Sequence, residues 1–295
     1  MKFPNPNMLL RIAQGDSYGL ATEYIKFPRD QESKDKALEF KKYIKHPRHS
    51  LKAGQYSDDG QMSLGLAECL INTYPNTQSS DYSKYFFDCF KRDQREGYSS
   101  GFQGLLESCN SNKELVERLI PDSDKNGAAM RSVPLGVIKD LQEVKYQAIT
   151  QAKITHNTFG GMWSSVIVAY MSHYSLYVDQ PLSELPQWIN DQLSSWIEPI
   201  SAWDGSPVVG PNVGMRTATA VLTLVSQEKS LLDIAKTTIE WGGDTDSVLS
   251  IAWGIASARM NDELPSFFEY GLENGTYGKD YLIKKGNELM QKFNT

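Results

Sequence analysis

Residues 246–260, running from Asp246-Ser247-Val248 to Ala258-Arg259-Met260, are apolar or small nearly all the way round a helical wheel. A helix without a polar face must be covered on every side, so the chain has to wrap other elements around it. Gly254, Ala252, Ala256 and Ser257 would let those neighbours approach closely. The surroundings read as helix too. Met62, Leu66, Cys69, Leu70 and Thr73 follow the i, i+4, i+7, i+8 spacing of one buried face. Segments 82–92, 103–120, 159–177, 187–199, 215–226, 230–241 and 280–293 are also best read as helices. No series of alternating apolar runs joined by Asn-Gly or Asp-Gly turns signals hairpins. The predicted fold class is all-α, and no break looks like a linker, so residues 1–295 are expected to form a single domain.

Two short stretches carry the chemistry. Ser57-Asp58-Asp59 and Asp244-Thr245-Asp246-Ser247 lie far apart in the chain, and both open onto helical sequence. Adjacent carboxylates sit about 100° apart on a regular helix, so each stretch makes sense as a loop-to-helix junction that aims several oxygens at one point. Gly54 and Gly60 flank the first junction, and Gly242-Gly243 precedes the second. Capping alone accounts for either stretch, because Asp and Ser are favoured N-caps and first-turn acids complement the helix dipole. Two such junctions together suggest more. Clustered anions inside a protein are costly unless a cation balances them, and an oxygen-only ligand set suits hard divalent ions such as Mg²⁺.

Two further stretches mix small residues with polar ones: Gly15-Asp16-Ser17-Tyr18-Gly19 with Glu23, and Asn126-Gly127-Ala128-Ala129-Met130-Arg131. Small side chains leave backbone N–H groups free to cradle phosphate oxygens, although either stretch could be a packing turn. The net charge of −6 argues against a general nucleic-acid binder. No segment is long and apolar enough to span a bilayer. Cys69, Cys89 and Cys109 form no CxxC pair and are expected to be free, buried thiols in a reducing, cytoplasmic setting. Residues 26–52 are rich in Lys, with Arg29, Arg48, His46 and His49; a solvated face is the simpler reading, contact with an acidic partner the other. The irregular run 204–214 is either functional or a packing loop.

Taken in this order, the stretches resemble the ADP-ribosylglycohydrolase family. Gly15-Asp16-Ser17-Tyr18-Gly19 with Glu23 looks like its GDxxG…E, Ser57-Asp58-Asp59 like its (T/S)DD, and the stretch from Asn126 to Arg131 like its NGxxMR loop. Thr155-His156 resembles a later TH element, and Gly242-Gly243-Asp244-Thr245-Asp246-Ser247 matches GGDTD(T/S). The resemblance runs from residue 9 to about 260. Gly60 departs from it, standing where many members have Thr.

The resemblance implies an orthogonal multi-helix domain with two Mg²⁺ ions, or Mn²⁺, on the floor of a central cleft. Ser57, Asp58, Asp59, Asp244, Asp246 and Ser247 would ligate them. Asn126, Gly127, Ala128, Met130 and Arg131 would hold a diphosphate, and His156 would line the nucleotide part. The implied reaction is release of ADP-ribose from an ADP-ribosylated protein by an enzyme expected to be monomeric, with Asp59 or Glu23 handling the proton. A non-catalytic ADP-ribose-binding or structural member of the same fold is the alternative. Other Mg²⁺-dependent helical enzymes fit less well: a DDxxD motif fails at Met62, and none of His46, His49, His156 or His173 precedes an Asp as an HD site needs.

Overall fold

The computed structural model describes residues 1–26 and 28–294. Among them the protein is all-α, with only two isolated β-bridges, Asp122 with His156 and Val208 with Gly243. The helices are α1 (Met8–Gly19), α2 (Gln31–Leu38), α3 (Asp58–Thr73), α4 (Ser79–Arg92), α5 (Ser100–Ser108) and α6 (Asn112–Arg118). There follow α7 (Gly127–Met130), α8 (Leu141–Ala152), α9 (Phe159–Tyr177), α10 (Leu185–Leu193) and α11 (Val213–Gln227). The last four are α12 (Leu231–Trp241), α13 (Thr245–Ala256), α14 (Phe267–Tyr270) and α15 (Lys279–Phe293).

Every residue of α13 is buried, as its lack of a polar face requires. It packs on α1, α11, α12 and α9. The approach of α1 is the closest, and glycine makes it possible. A Cβ on Gly15 would stand 2.7 Å from the Leu249 carbonyl oxygen, and one on Gly19 would stand 2.6 Å from the Asp246 Cα. From the other side, a Cβ on Gly254 would meet Ile12 Cγ1 at 2.6 Å. The C-terminal end of α1 therefore lies against the N-terminal turn of α13. It also meets the start of α3, where Asp16 bonds to Ser57 and Gly60. One end of this three-helix packet thus collects acids from both ends of the sequence.

Several sequence expectations change. The stretch 103–120 is not one helix: α5 ends at Ser108, and Ser111 starts α6 by accepting a bond from the Glu114 N–H at 3.2 Å. The segment expected to reach residue 199 stops at Leu193. Helix α8 has no apolar stripe to announce it, because Gln147 and Gln151 occupy its inward face. All three cysteines are buried and free. No helix among the described residues is long and apolar enough to cross a membrane.

The α1–α13 contact generates a direct test. Gly19→Ala would push a methyl group into the backbone of α13, an overpacking cost of roughly 1–3 kcal/mol, and should lower the Tm by about 2–5 °C in thermal circular dichroism. Gly104→Ala, where the added carbon meets nothing within 4 Å, should leave the Tm unchanged or raise it.

Candidate active site

The site begins with a carboxylate that the sequence reading did not assign. Asp16, fully enclosed on α1, accepts bonds from the Ser57 N–H and the Gly60 N–H on Oδ2, and from Ser57 Oγ on Oδ1, all at 2.8 Å. It thereby ties off the free N–H groups that open α3. Burial pushes its carboxyl up to about 7, although all three bonds hold it down. With this turn fixed, Asp58 and Asp59 lie at the mouth of α3, facing Asp244 and Asp246 at the mouth of α13.

These carboxylates line a single cleft of about 490 Å³, together with Glu23 and Ser247. Glu23, Asp244 and Asp246 bring carboxylate oxygens within 4.8 Å of one another. Asp59 Oδ1 accepts a bond from Ser250 Oγ at 3.2 Å. Asp244 Oδ2 accepts from the Tyr24 hydroxyl at 2.7 Å and from Asn126 Nδ2 at 3.1 Å. Asp246 Oδ1 is buried with no hydrogen-bond partner. Burial and then the neighbouring carboxylates hold Asp58, Asp59 and Asp246 well above the usual carboxylate range. No ion pair reaches any of these three among the described residues. An all-oxygen donor set, mutually repelling and with an orphaned oxygen, fits a hard divalent cation.

Around this floor the other predicted residues divide. Asn126, Gly127, Met130, Arg131 and His156 line the same cleft. Gly127 gives room to the His156 ring, since a Cβ there would stand 2.8 Å from its Cε1. His156 Nδ1 shares a bond with Thr155 Oγ1 at 2.7 Å, and burial, then Arg131 and Lys125, drops its pKa to about 3, so the ring is neutral. Arg131 is held from below: Nε donates to Gln151 Oε1 at 2.5 Å, and Nη2 donates to the Gln151 carbonyl and Thr155 Oγ1. Its guanidinium has no carboxylate partner among the described residues. Two predicted residues do not line the cleft. The Ser57 hydroxyl turns its proton to Asp16, and the Ala128 carbonyl accepts bonds from Ser132 Oγ and Gln151 Nε2.

The basic segment is solvated at its lysines and anchored through His46, Arg48 and His49. His46 Nε2 donates to the Glu23 carbonyl at 2.9 Å, Arg48 Nη2 donates to the Tyr24 carbonyl at 2.8 Å, and His49 Nε2 pairs with Glu23 Oε2 at 3.2 Å. His46 Nδ1 accepts the N–H groups of Arg48 and His49, and burial drops its pKa to about 4. Glu23 raises the pKa of His49, whereas burial raises that of Glu23 and outweighs the pairing. The segment therefore fixes the loop that carries Glu23.

Sequence reasoning also missed Tyr24, which has a left-handed φ of 43°, and Gly97. Gly97 has φ 115°, and any side chain there would strike Asp58 Oδ1. Glycine in the polar run Glu96-Gly97-Tyr98 was its only signal. The loop 204–214 serves packing: Val208 brackets Gly243, donating to the Gly242 carbonyl at 3.1 Å and accepting from the Asp244 N–H at 3.0 Å. Trp203 lies outside the cleft, bonded to Ser206.

Comparison with known proteins places these features. The family profile described as ADP-ribosylglycohydrolase matches residues 7–293. A curated Archaeoglobus fulgidus protein, itself uncharacterized, is 24% identical over 168 residues, which is 55% of this chain and 52% of that protein. The chain thus matches about half the length of that relative. A solved structure titled ADP-ribosylglycohydrolase-related protein complex superposes with a TM-score of 0.73 at 17% identity, over 97% of this chain and 96% of its own; it shares the fold.

The crowded carboxylates set a pH dependence. A carboxyl whose pKa is higher in the folded than in the unfolded state binds protons more tightly when folded, so its stability contribution is lost as pH rises. For Asp16 that window runs from 3.8 to about 7. In chelator, urea unfolding should show the wild type losing stability relative to Asp246→Asn between pH 5 and pH 7, because burial and the neighbouring carboxylates hold the Asp246 carboxyl well above its ordinary range. A constant difference across that range would contradict the crowding.

Proposed function

Since the chain belongs to the ADP-ribosylglycohydrolase family, we propose that it removes ADP-ribose from a modified protein side chain by hydrolysing the glycosidic bond at the anomeric ribose carbon. One observation carries this reading: Asp58, Asp59, Asp244, Asp246 and Glu23 converge on one cleft although the sequence separates them widely. The four aspartates, with the hydroxyls of Ser57 and Ser247, would hold two Mg²⁺ or Mn²⁺ ions. Ser57 gives its proton to Asp16, which leaves its lone pairs for such a role. Bound divalent ions supply fixed positive charge that offsets charge developing at the reacting centre.

The protein's own groups account for the rest. Asn126, Gly127 and Met130 border the floor and would seat the diphosphate, with Arg131 beneath contributing positive charge without a competing carboxylate. Neutral His156 would border the nucleotide. Of the two carboxylates left open as proton acceptor, Glu23 has the better access: its side chain is 16% exposed, whereas Asp59 is 2% exposed and bonded to Ser250. Glu23 would take a proton from the attacking water on a carboxylate oxygen, with His49 orienting it. Tyr24 and Asn126 hold Asp244 in place from two sides.

The test is a panel of proteins ADP-ribosylated on Arg, on Ser and on other acceptors, assayed for released ADP-ribose with Mg²⁺ and with chelator. Release from at least one linkage, abolished by chelator, is expected. Asp58→Ala and Asp246→Ala should each lower turnover on the order of a thousandfold while the helical circular dichroism is kept. Tight binding of ADP-ribose with no release from any linkage would identify a non-catalytic binding member instead.

A further inference from the structure

Residues 26–52 hold nine Lys and Arg against four Asp and Glu, in a chain whose net charge is −6. Part of that surplus is internally neutralised. Lys36 pairs with Glu32 and Lys41 with Glu39, and Arg29 and Arg48 both grip Asp30. Lys26, Lys42, Lys45 and Lys52 are different: all four are exposed, and none has an ammonium partner among the described residues.

Two of these lysines, Lys45 and Lys52, flank a strap that joins segments lining the cleft. Residues 46–50 start at the Glu23 and Tyr24 carbonyls and end where the Ser50 N–H donates to Glu96 Oε2 at 3.3 Å. Tyr24 and Gly97, one on each side, both line the cleft. The strap's base is fixed, with the Tyr43 hydroxyl donating to the Phe268 carbonyl at 3.1 Å. Lys45 precedes the strap and Lys52 follows it, so unpaired positive charge brackets the segment that holds Glu23. If the nucleotide seats along Asn126, Arg131 and His156, the modified side chain and its flanking residues leave over this segment.

We propose that the strap is a docking surface for the protein acceptor, selecting modified side chains that are flanked by acidic residues. This rests on the hydrolase reading above. Complementary charge at a rim sets encounter and partner choice more than raw affinity. A nucleic acid is the weaker candidate occupant, because the cationic stretch is short and the remainder of the chain carries a net negative charge that a longer polyanion would meet.

The test uses two fluorescent peptides ADP-ribosylated on one arginine, flanked by three Glu or by three Gln, and a fluorescent oligonucleotide of the same charge as the Glu peptide. Binding is read by anisotropy in chelator, and ADP-ribose release is read separately with Mg²⁺. The Glu peptide should bind about tenfold more tightly than the Gln peptide at 50 mM salt, a preference that collapses at 300 mM salt. Lys42→Glu/Lys45→Glu/Lys52→Glu should erase the preference, and the control Lys153→Glu/Lys284→Glu/Lys292→Glu, with the same charge change outside the strap, should keep it. Equal binding of the two peptides by the wild type, a preserved preference in the strap variant, or tighter binding of the oligonucleotide would each overturn the inference. The release assay separates the two readings. Turnover of both peptides without discrimination leaves the hydrolase and removes the docking surface; discrimination in binding without release from any linkage does the reverse.

Discussion

Mutual repulsion among buried carboxylates is the constraint to which the rest of the structure answers. Asp16, Asp58, Asp59 and Asp246 are each almost or wholly enclosed, and each disfavours ionisation of the others. Charges removed from water cost several kcal/mol apiece unless something compensates. Two compensations are visible in the protein itself. The starts of α3 and α13 turn their N–H ends toward the acids, and Asp16 takes three hydrogen bonds. The orphaned Asp246 oxygen shows that these are incomplete, and the missing share is what a divalent cation would provide.

The cations of the protein are arranged around this floor and not on it. Arg95 lies 3.5 Å from the centre of the Tyr56 ring and donates to the Tyr56 carbonyl at 2.7 Å, holding the approach to Ser57. Glu273, bonded to the same guanidinium, ties that approach to the C-terminal part of the chain. Arg48 and His49 hold Glu23 and Tyr24 from the other side. Placed among the aspartates, any of these side chains would neutralise the floor and displace a metal. Placed behind them, they fix the backbone and leave the oxygens free. Arg131 follows the same plan beneath the Asn126 loop, with glutamine and threonine as partners in place of acids.

Much of this was legible in the sequence, for identifiable reasons. The all-round apolar character of α13 dictated a buried helix, and acids beside glycine at two helix starts dictated junctions able to converge. What stayed illegible depends on tertiary partners. Gln147 and Gln151 read as surface residues, yet they are buried because Tyr82, Arg131, Ser132 and Ser165 satisfy them. The direction of the Ser57 hydroxyl was decided by Asp16, forty-one residues earlier. The anchoring part of the basic segment was hidden because a charge count cannot reveal which backbone carbonyls a guanidinium or imidazole will find. Gly97 gave too weak a signal, since its reason for being glycine is an aspartate from another helix.

The acids that meet at the floor are contributed by residue 16 at one extreme and residue 246 at the other. During synthesis, then, α1 and α3 emerge with their carboxylates long before α13 can close over them. A nascent chain without α13 has no second half of the floor, and α1 lacks the partner that its glycines are shaped to receive. The crowding of negative charge is therefore postponed until α13 is available to restrain it, and a fragment that ends before α13 lacks half of the centre.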